Sequence, residues 1–371
     1  MGEQAIAGYF PEPGEKVLRA PLELVRCTAC DLGQLRHSVD RRALFAGAYG
    51  YRSGINETMR GHLKGIAKEL KVKSGELVVD IGCNDGTFLD HFPVRSRVGY
   101  EPSEVCPTKY HREFFSQEHF EKHHPGKKAK VVTSLAMFYD LEDPLEFAKQ
   151  VHGILADDGV WVIELQDFSE TAKQSAFDTI CNEHVTYWDL SRLEAVLCRA
   201  GFVIAPGTKR TEINGGSLQV HAIKDVSVSG VKPWPLMPIN WQKFAEDAHW
   251  ARASLKKTLE ELKGKQIWGY GASTKGNVLL QFCGITNQDI VAIADRNPEK
   301  WGKVTPGTNI PIVSETLMRQ AKPDYLLALP WAFMEEFRKR EPWARWIVPF
   351  PEAHILGAIE SEAVSEVAVC S

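Results

Sequence analysis

One segment of this chain constrains its fold more than any other: Val78-Val79-Asp80-Ile81-Gly82-Cys83-Asn84-Asp85-Gly86-Thr87-Phe88. The apolar run Leu77–Ile81 has the length of a buried strand, and it enters a glycine-bearing turn that opens into helical sequence. Gly82 and Gly86 lack a Cβ, so the backbone there can pass close to a ligand. Asp80 falls at the carboxyl end of the strand, the edge at which open α/β sheets bind ligands. Its carboxylate can pair with a cationic amino group. Glu101 follows the next strand run, Val98-Gly99-Tyr100, where an acid can take both hydroxyls of a ribose.

Two nucleotide ligands compete for such a turn. A dinucleotide asks for GxGxxG, with pyrophosphate at the helix start. Here the spacing is GxxxG, with Asp80 and Asp85 beside it. Negative charge repels a pyrophosphate and attracts a sulfonium and an ammonium. S-adenosylmethionine (SAM) therefore fits the turn better, with Asp80, Gly82, Asn84, Gly86 and Glu101 as its expected contacts. Ser134, at the end of the strand run Lys130–Ser134, is placed at the same edge.

Strand runs at Ser96–Tyr100, Lys130–Ser134 and Gly159–Leu165 alternate with helical stretches such as Pro144–Leu155. That alternation predicts a parallel sheet covered on both faces. Ahead of it, 54–71 has helical spacing through Met59, Leu63, Ile66 and Leu70. A helix at 190–200 and strands at Phe202–Ala205 and Ser217–Ile223 would close the sheet at one edge. Pro233, Pro235 and Pro238 mark 226–238 as a linker. A long amphipathic helix over 240–263 leads to a second alternating block, with strands at Gln266–Tyr270, Ile290–Ala294, Tyr325–Leu329 and Trp346–Val348. Its helices are expected near 275–283, 314–321 and 332–340. Residues 1–45 read as irregular, broken by Pro11, Pro13 and Pro21.

At 371 residues the chain exceeds one typical core, which agrees with two principal α/β domains. Lys and Arg number 44 against 48 Asp and Glu, a balance without the basic excess of a general nucleic-acid binder. No apolar run is long enough to span a bilayer, and the first residues lack the basic flank and apolar stretch of a secretory signal. A cytoplasmic location is expected, and scattered cysteines suit reduced thiols there. Only Cys27 and Cys30 form a CxxC pair. Two thiolates fall short of the four ligands a structural zinc needs, and His37 is a weak third.

A second glycine-bearing turn, Gly269-Tyr270-Gly271-Ala272-Ser273-Thr274-Lys275-Gly276-Asn277, follows the strand at 266–270. Free backbone N–H groups at its helix start, with Ser273, Thr274 and Lys275, suit an anion. Asp295 follows the next strand, where a dinucleotide-binding unit keeps its ribose acid. An NAD-linked oxidoreductase is thus an alternative on chemistry alone, although GxGxxxxG is looser than the fingerprint. A non-catalytic homologue that kept the fold is another.

Taken together, four segments resemble the SAM-dependent sugar C-methyltransferases that act on nucleotide-activated deoxysugars. They are Tyr49-Gly50-Tyr51-Arg52-Ser53 with the helix through Met59 and His62; the turn at 78–89; Asn182-Glu183-His184-Val185-Thr186-Tyr187 with Asn214-Gly215-Gly216-Ser217-Leu218; and the second turn with Ala294-Asp295-Arg296-Asn297-Pro298 and Leu329-Pro330-Trp331. The resemblance implies an irregular part at 1–48 as the remnant of a zinc-binding module, and a class I SAM-methyltransferase Rossmann-like domain at 49–225. A linker and bridging helix at 226–263 and a smaller Rossmann-like domain at 264–371 would follow. It implies a nucleotide-linked sugar as acceptor, whose diphosphate Ser273, Thr274, Lys275, Asn277 and Arg296 would help to hold. C-methylation needs a base and a donor to an enolate oxygen. His184 is the candidate base, since its ordinary pKa lies near working pH. Glu183 would orient it or share its role, and Tyr187, Tyr49, Tyr51 or Asn214 would donate to the oxygen. The chain departs from the family's pattern in three places. It carries one CxxC pair where the family carries two, Cys181 where a tyrosine usually stands, and Asn214 in place of a histidine. The last two changes bear on the identity of the acceptor.

Overall fold

The computed structural model describes residues 1–47, 51–224 and 238–359. Tyr49 and nearly all of the expected linker lie outside them. The first unit is built on helix α1 (Glu57–Leu70), strands β1 (Val78–Ile81), β2 (Arg97–Tyr100) and β3 (Ala129–Leu135), helix α2 (Pro144–Ile154), strand β4 (Leu155–Gln166), helix α3 (Leu190–Arg199), and strands β5 (Phe202–Ile204) and β6 (Ser217–Lys224). These strands lie in the order β5-β6-β4-β3-β1-β2, and a short strand, Lys209–Thr211, pairs with β6 to make a seven-stranded sheet. β2, β1, β3 and β4 are parallel; β6 runs antiparallel to β4, and β5 to β6. The apolar runs read from the sequence are these strands, because a sheet covered on both faces buries both sides of each strand. Every residue of β1 is buried, and Trp161 on β4 is fully enclosed.

α1 starts at Asn56, whose side chain accepts from the Met59 N–H. It ends at Lys71 in a left-handed conformation, and Met59, Leu63, Ile66 and Ala67 form its buried stripe. α2 is opened by Asp143, which accepts from Glu146 N–H, with Pro144 at a position that needs no donor.

Helix α4 (Trp241–Glu261) leads to the second unit through a stripe of Phe244, Ala248, Ala251 and Leu255. There β7 (Ile267–Tyr270), helix α5 (Thr274–Cys283), β8 (Ile293–Asp295), β9 (Ile312–Ser314), β10 (Tyr325–Ala328), β11 (Trp346–Val348) and β12 (His354–Leu356) follow. The sheet order is β9-β8-β7-β10-β11-β12, parallel except for β12. β9 and β12 are three-residue edge strands that the sequence reading did not separate from loops.

The first 45 residues are more ordered than the sequence suggests. Glu3–Ala5 pairs with Arg19–Pro21, and the hairpin Leu24–Arg26/Gly33–Leu35 pairs onward with Thr186–Tyr187. Three-residue strands carry too little pattern to be legible alone; the pairing partners supply the order. One hydrophobic cluster joins Phe10 and Leu22 of this segment to Phe168 and Phe177, to α4 and to the second sheet. Burying a Leu255-sized side chain contributes about 1.5–3 kcal/mol, so this shared core binds the parts together.

Candidate functional site

The turn after β1 has the geometry its glycines imply. Gly82 and Gly86 hold φ of 80° and 78°. A Cβ at Gly86 would lie 2.8 Å from the Tyr110 ring, so here the glycine is required by the protein's own packing as well as by φ. Asn84 is also left-handed, at φ 48°. Its N–H donates to Glu101 Oε2 at 3.1 Å, its Oδ1 accepts from Ser53 N–H at 3.0 Å, and its Nδ2 donates to the Tyr51 carbonyl at 3.1 Å. Gly54 N–H donates to Asp85 Oδ2 at 2.8 Å. Asn84 and Asp85 thereby clamp the 51–54 segment across the turn.

Beside this turn lies a cavity of about 510 Å³ whose wall includes Asp80, Gly82, Asn84, Glu101, Tyr51 and Asn214. Asp80 is 3% exposed and accepts from Thr133 Oγ1 at 2.6 Å. Burial first, and then the Glu101 charge, push its carboxyl up to about 7 despite that hydrogen bond. Glu101 also accepts from Ser103 N–H at 2.9 Å. Asp140, Glu142, Asp143 and Glu164 stand in the same wall, and among the described residues the single base there is Arg41. An acidic cavity with a buried carboxylate and a ribose-type acid suits a ligand that carries an ammonium and a sulfonium. SAM fits the residues present.

Two of the expected donor contacts sit elsewhere. Gly86 shapes the turn but lies outside the cavity wall. Ser134 is fully buried and accepts from Trp161 Nε1 at 3.1 Å, on the opposite face of β3 from Thr133. Side chains alternate along a strand, so the neighbour one residue earlier faces Asp80.

His184 is half-buried, and its Nδ1–H donates to the Thr179 carbonyl at 3.0 Å. Tyr139 packs on the imidazole at 4.1 Å between ring centres. Burial, and then Lys275, lower its pKa to about 3, so the ring is neutral and its Nε2 carries a lone pair. Glu183 is 2% exposed. Its Oε1 accepts from Gly8 N–H at 2.5 Å, its Oε2 has no partner, and burial raises its pKa. The Tyr187 hydroxyl is likewise buried and unpartnered. His184, Glu183 and Tyr187 stand outside the wall of the donor cavity, whereas Asn214 and Tyr51 lie in it. Asn214 takes φ 56° in the turn between Lys209–Thr211 and β6.

A second cavity, of about 160 Å³, lies at the turn after β7. Tyr51 lines it as well, with Ser273, Thr274, Arg296, Lys300 and Arg340. Ser273 caps α5 by accepting from Gly276 N–H at 3.0 Å. Arg296 donates to Glu336 at 2.7 Å. Lys275 turns away from this cavity. Its Nζ donates to Gln166 Oε1 at 2.7 Å and to the Asn214 carbonyl at 2.9 Å, in the first unit. Asn277 is fully buried and donates to the Ala7 carbonyl at 2.7 Å, so it ties down the N-terminal segment. Of the five residues expected at the acceptor's diphosphate, the cavity thus brings together Ser273, Thr274 and Arg296.

Several groups at the site escaped the sequence reading. Glu164 lies in the donor cavity, and both its oxygens face His62 Nε2, at 2.8 and 2.7 Å. Asp178 is fully buried, accepts from Trp331 Nε1 at 2.8 Å, and has its pKa raised to about 6 by burial. The one signal for Glu164 was an acid closing the apolar strand run Val160-Trp161-Val162-Ile163. Cys27 and Cys30 occupy the turn of the N-terminal hairpin as free thiols. Backbone N–H groups of Cys30 and Ala29 lower the Cys27 pKa, and burial raises that of Cys30. Among the described residues no three His, Cys, Asp or Glu side chains converge on a metal-sized site. His37 stands 3.8 Å from Glu23. No helix among them is long and apolar enough to cross a membrane.

The sheet and its cavity define a class I SAM-dependent methyltransferase, and residues 51–206 match the methyltransferase domain family. Residues 237–351 match a second family, the C-methyltransferase C-terminal domain. The C-methyltransferase NovU of Streptomyces niveus is 28% identical over 91% of this chain and 88% of its own. With both halves matched in this order, the chain is a SAM-dependent methyltransferase similar to the C-methyltransferases, and its second unit matches their C-terminal domain, which favours methyl transfer over the oxidoreductase alternative. Among solved structures, magnesium protoporphyrin IX methyltransferase of Synechocystis PCC 6803 aligns at 14% identity, covering 46% of this chain and 89% of that one, with a TM-score of 0.34. The CcbJ methyltransferase of Streptomyces caelestis aligns at 9% identity over 44% and 90%, with a TM-score of 0.33.

Proposed function

We propose that this enzyme methylates a carbon beside the ketone of a nucleotide-linked keto-deoxysugar in the cytoplasm. The observation that carries the reading is the meeting of two cavities of different character at Tyr51. One is acidic and suits the methyl donor. The other has a capped helix start with Arg296, Lys300 and Arg340, each facing an acid (Glu336, Asp295 and Glu315) from which a diphosphate would have to draw it. An acceptor with its diphosphate in the second cavity would bring its sugar to Tyr51 and Asn214.

Bound SAM supplies the methyl group as an electrophile. The chain must make the target carbon a nucleophile. On this reading His184 takes the proton beside the ketone, since its Nδ1–H is engaged and its neutral Nε2 has a lone pair free to accept. The electron pair released makes an enolate, whose carbon bonds to the methyl group as the methyl–sulfur bond breaks and its electron pair stays on sulfur, so that S-adenosylhomocysteine is the leaving group. Asn214 and Tyr51 hydrogen-bond the enolate oxygen. Glu183 and Tyr187 support the segment from behind. Asp80, Asn84 and Glu101 hold the donor.

A panel of nucleoside-diphosphate keto-deoxyhexoses, incubated with SAM and read by mass spectrometry, tests this. At least one is expected to gain a methyl group, and its target position to exchange with deuterated water when the demethylated donor replaces SAM. His184→Ala should keep SAM affinity and lose about 10²–10⁴ in turnover. Failure of every keto-sugar would refute the acceptor class; full turnover in His184→Ala would remove His184 from the chemistry.

A further inference from the structure

SAM and its product, S-adenosylhomocysteine, differ by one methyl group and one positive charge. The donor cavity holds three carboxylates that are nine-tenths buried or more: Glu101 after β2, engaged by the Asn84 and Ser103 N–H groups, and two placed at the ends of other strands, Asp80 on β1 and Glu164 near the end of β4. In the sheet order β1-β3-β4 they are two strand steps apart, about 10 Å. Glu164 is 4% exposed, with Leu135 of β3, also in the cavity wall, as its register neighbour.

The surroundings of Glu164 fix its position. His62, from α1, meets both carboxylate oxygens through one nitrogen, and its own side chain is only 13% exposed. Among the described residues no Lys or Arg pairs with Glu164. Burying a carboxylate costs free energy unless something offsets it, and the proton transfer assigned to His184 makes no use of it. Asp80 has a different neighbourhood: it is held by a hydroxyl and lies beside the turn.

We propose that Glu164, positioned by His62, is the residue by which this enzyme distinguishes SAM from S-adenosylhomocysteine: its carboxylate faces the sulfonium, while Asp80 serves the ammonium that both molecules carry. The assignment makes the spent donor the weaker ligand and so favours its release. It depends on SAM as donor, and the identity of the acceptor does not enter.

The test is calorimetric titration of the full-length protein with SAM, S-adenosylhomocysteine and sinefungin, which carries an amine cation where SAM has its methylsulfonium. Glu164→Gln should weaken SAM and sinefungin about tenfold or more and leave S-adenosylhomocysteine within about twofold, a neutral ligand atom gaining little from the charge. Asp80→Asn should weaken all three together. His62→Gln, which keeps a hydrogen-bond donor, should show the same selectivity as Glu164→Gln at smaller size. If Glu164→Gln loses SAM and S-adenosylhomocysteine in equal measure, its role is structural and the proposal fails. If it loses neither, the carboxylate does not face the donor and the proposal fails again. His62→Gln gives the same two readings should Glu164→Gln not fold.

Discussion

The two α/β units repeat one device and line it with different side chains. In each, a buried strand ends in a glycine turn and an acid stands at the end of the next strand, Glu101 in the first and Asp295 in the second; the second turn opens helix α5, whereas the first, against the helical sequence expected after it, leads only to a three-residue 3₁₀ turn at Leu89–His91. Gly82 and Gly271 share a positive φ, near 80° in both. The lining differs. Around the first turn the wall is acidic, with Asp80 buried and its carboxyl pushed up. Around the second, the cation that the turn itself offers, Lys275, is withdrawn to the first unit. The backbone of a glycine turn therefore sets where a ligand approaches, and the charges of neighbouring side chains set which ligand it is. A turn's spacing alone leaves that second question open.

Lys275 is where the contrast breaks most easily. It bridges the units through Gln166 and the Asn214 carbonyl, with Asp178 near enough to resist the lowering of its pKa by burial. Replacing it by Met should cost about 1.5–3 kcal/mol, seen as a lower midpoint in urea unfolding, and should loosen the Asn214 turn. A variant as stable as the parent would show that the bridge is dispensable.

A smaller effect sharpens the first site. With the Asp80 carboxyl near 7 in the free protein, its charge, and with it affinity for an ammonium-bearing donor, should fall about tenfold between pH 8 and pH 6. The stability of the free protein responds in the opposite sense. The folded state binds this proton more tightly than the unfolded chain does, so Asp80 favours folding as pH drops from about 7 toward the ordinary carboxylate range. Asp80→Asn should flatten this part of both profiles; a donor affinity that ignores pH in the parent would refute the assignment.

Much of the frame was legible in the sequence because buried strands of a covered sheet are continuous apolar runs, as in Val78–Ile81 and Tyr325–Ala328. The donor turn was legible because its glycines and acids lie within a few residues of one another. The acceptor side was harder. Glu183 answers to Gly8, Asn277 to Ala7, and Lys275 to Gln166 and Asn214, contacts that span 175, 270, 109 and 61 residues. Such pairings are made by the meeting of the two units and the N-terminal segment, and no local pattern announces them. Glu164 and His62, 102 residues apart, belong to the same class. Ser134 shows a finer limit: one residue along β3 exchanges the cavity face for the core.

On this reading the first turn holds a cationic methyl donor and the second holds no nicotinamide. Titrating the purified full-length protein with SAM and with NAD, each alone and then in competition, tests it most directly. One SAM site per chain is expected, lost in Glu101→Ala and untouched by NAD; binding of NAD with no affinity for SAM would contradict a donor site at the first turn.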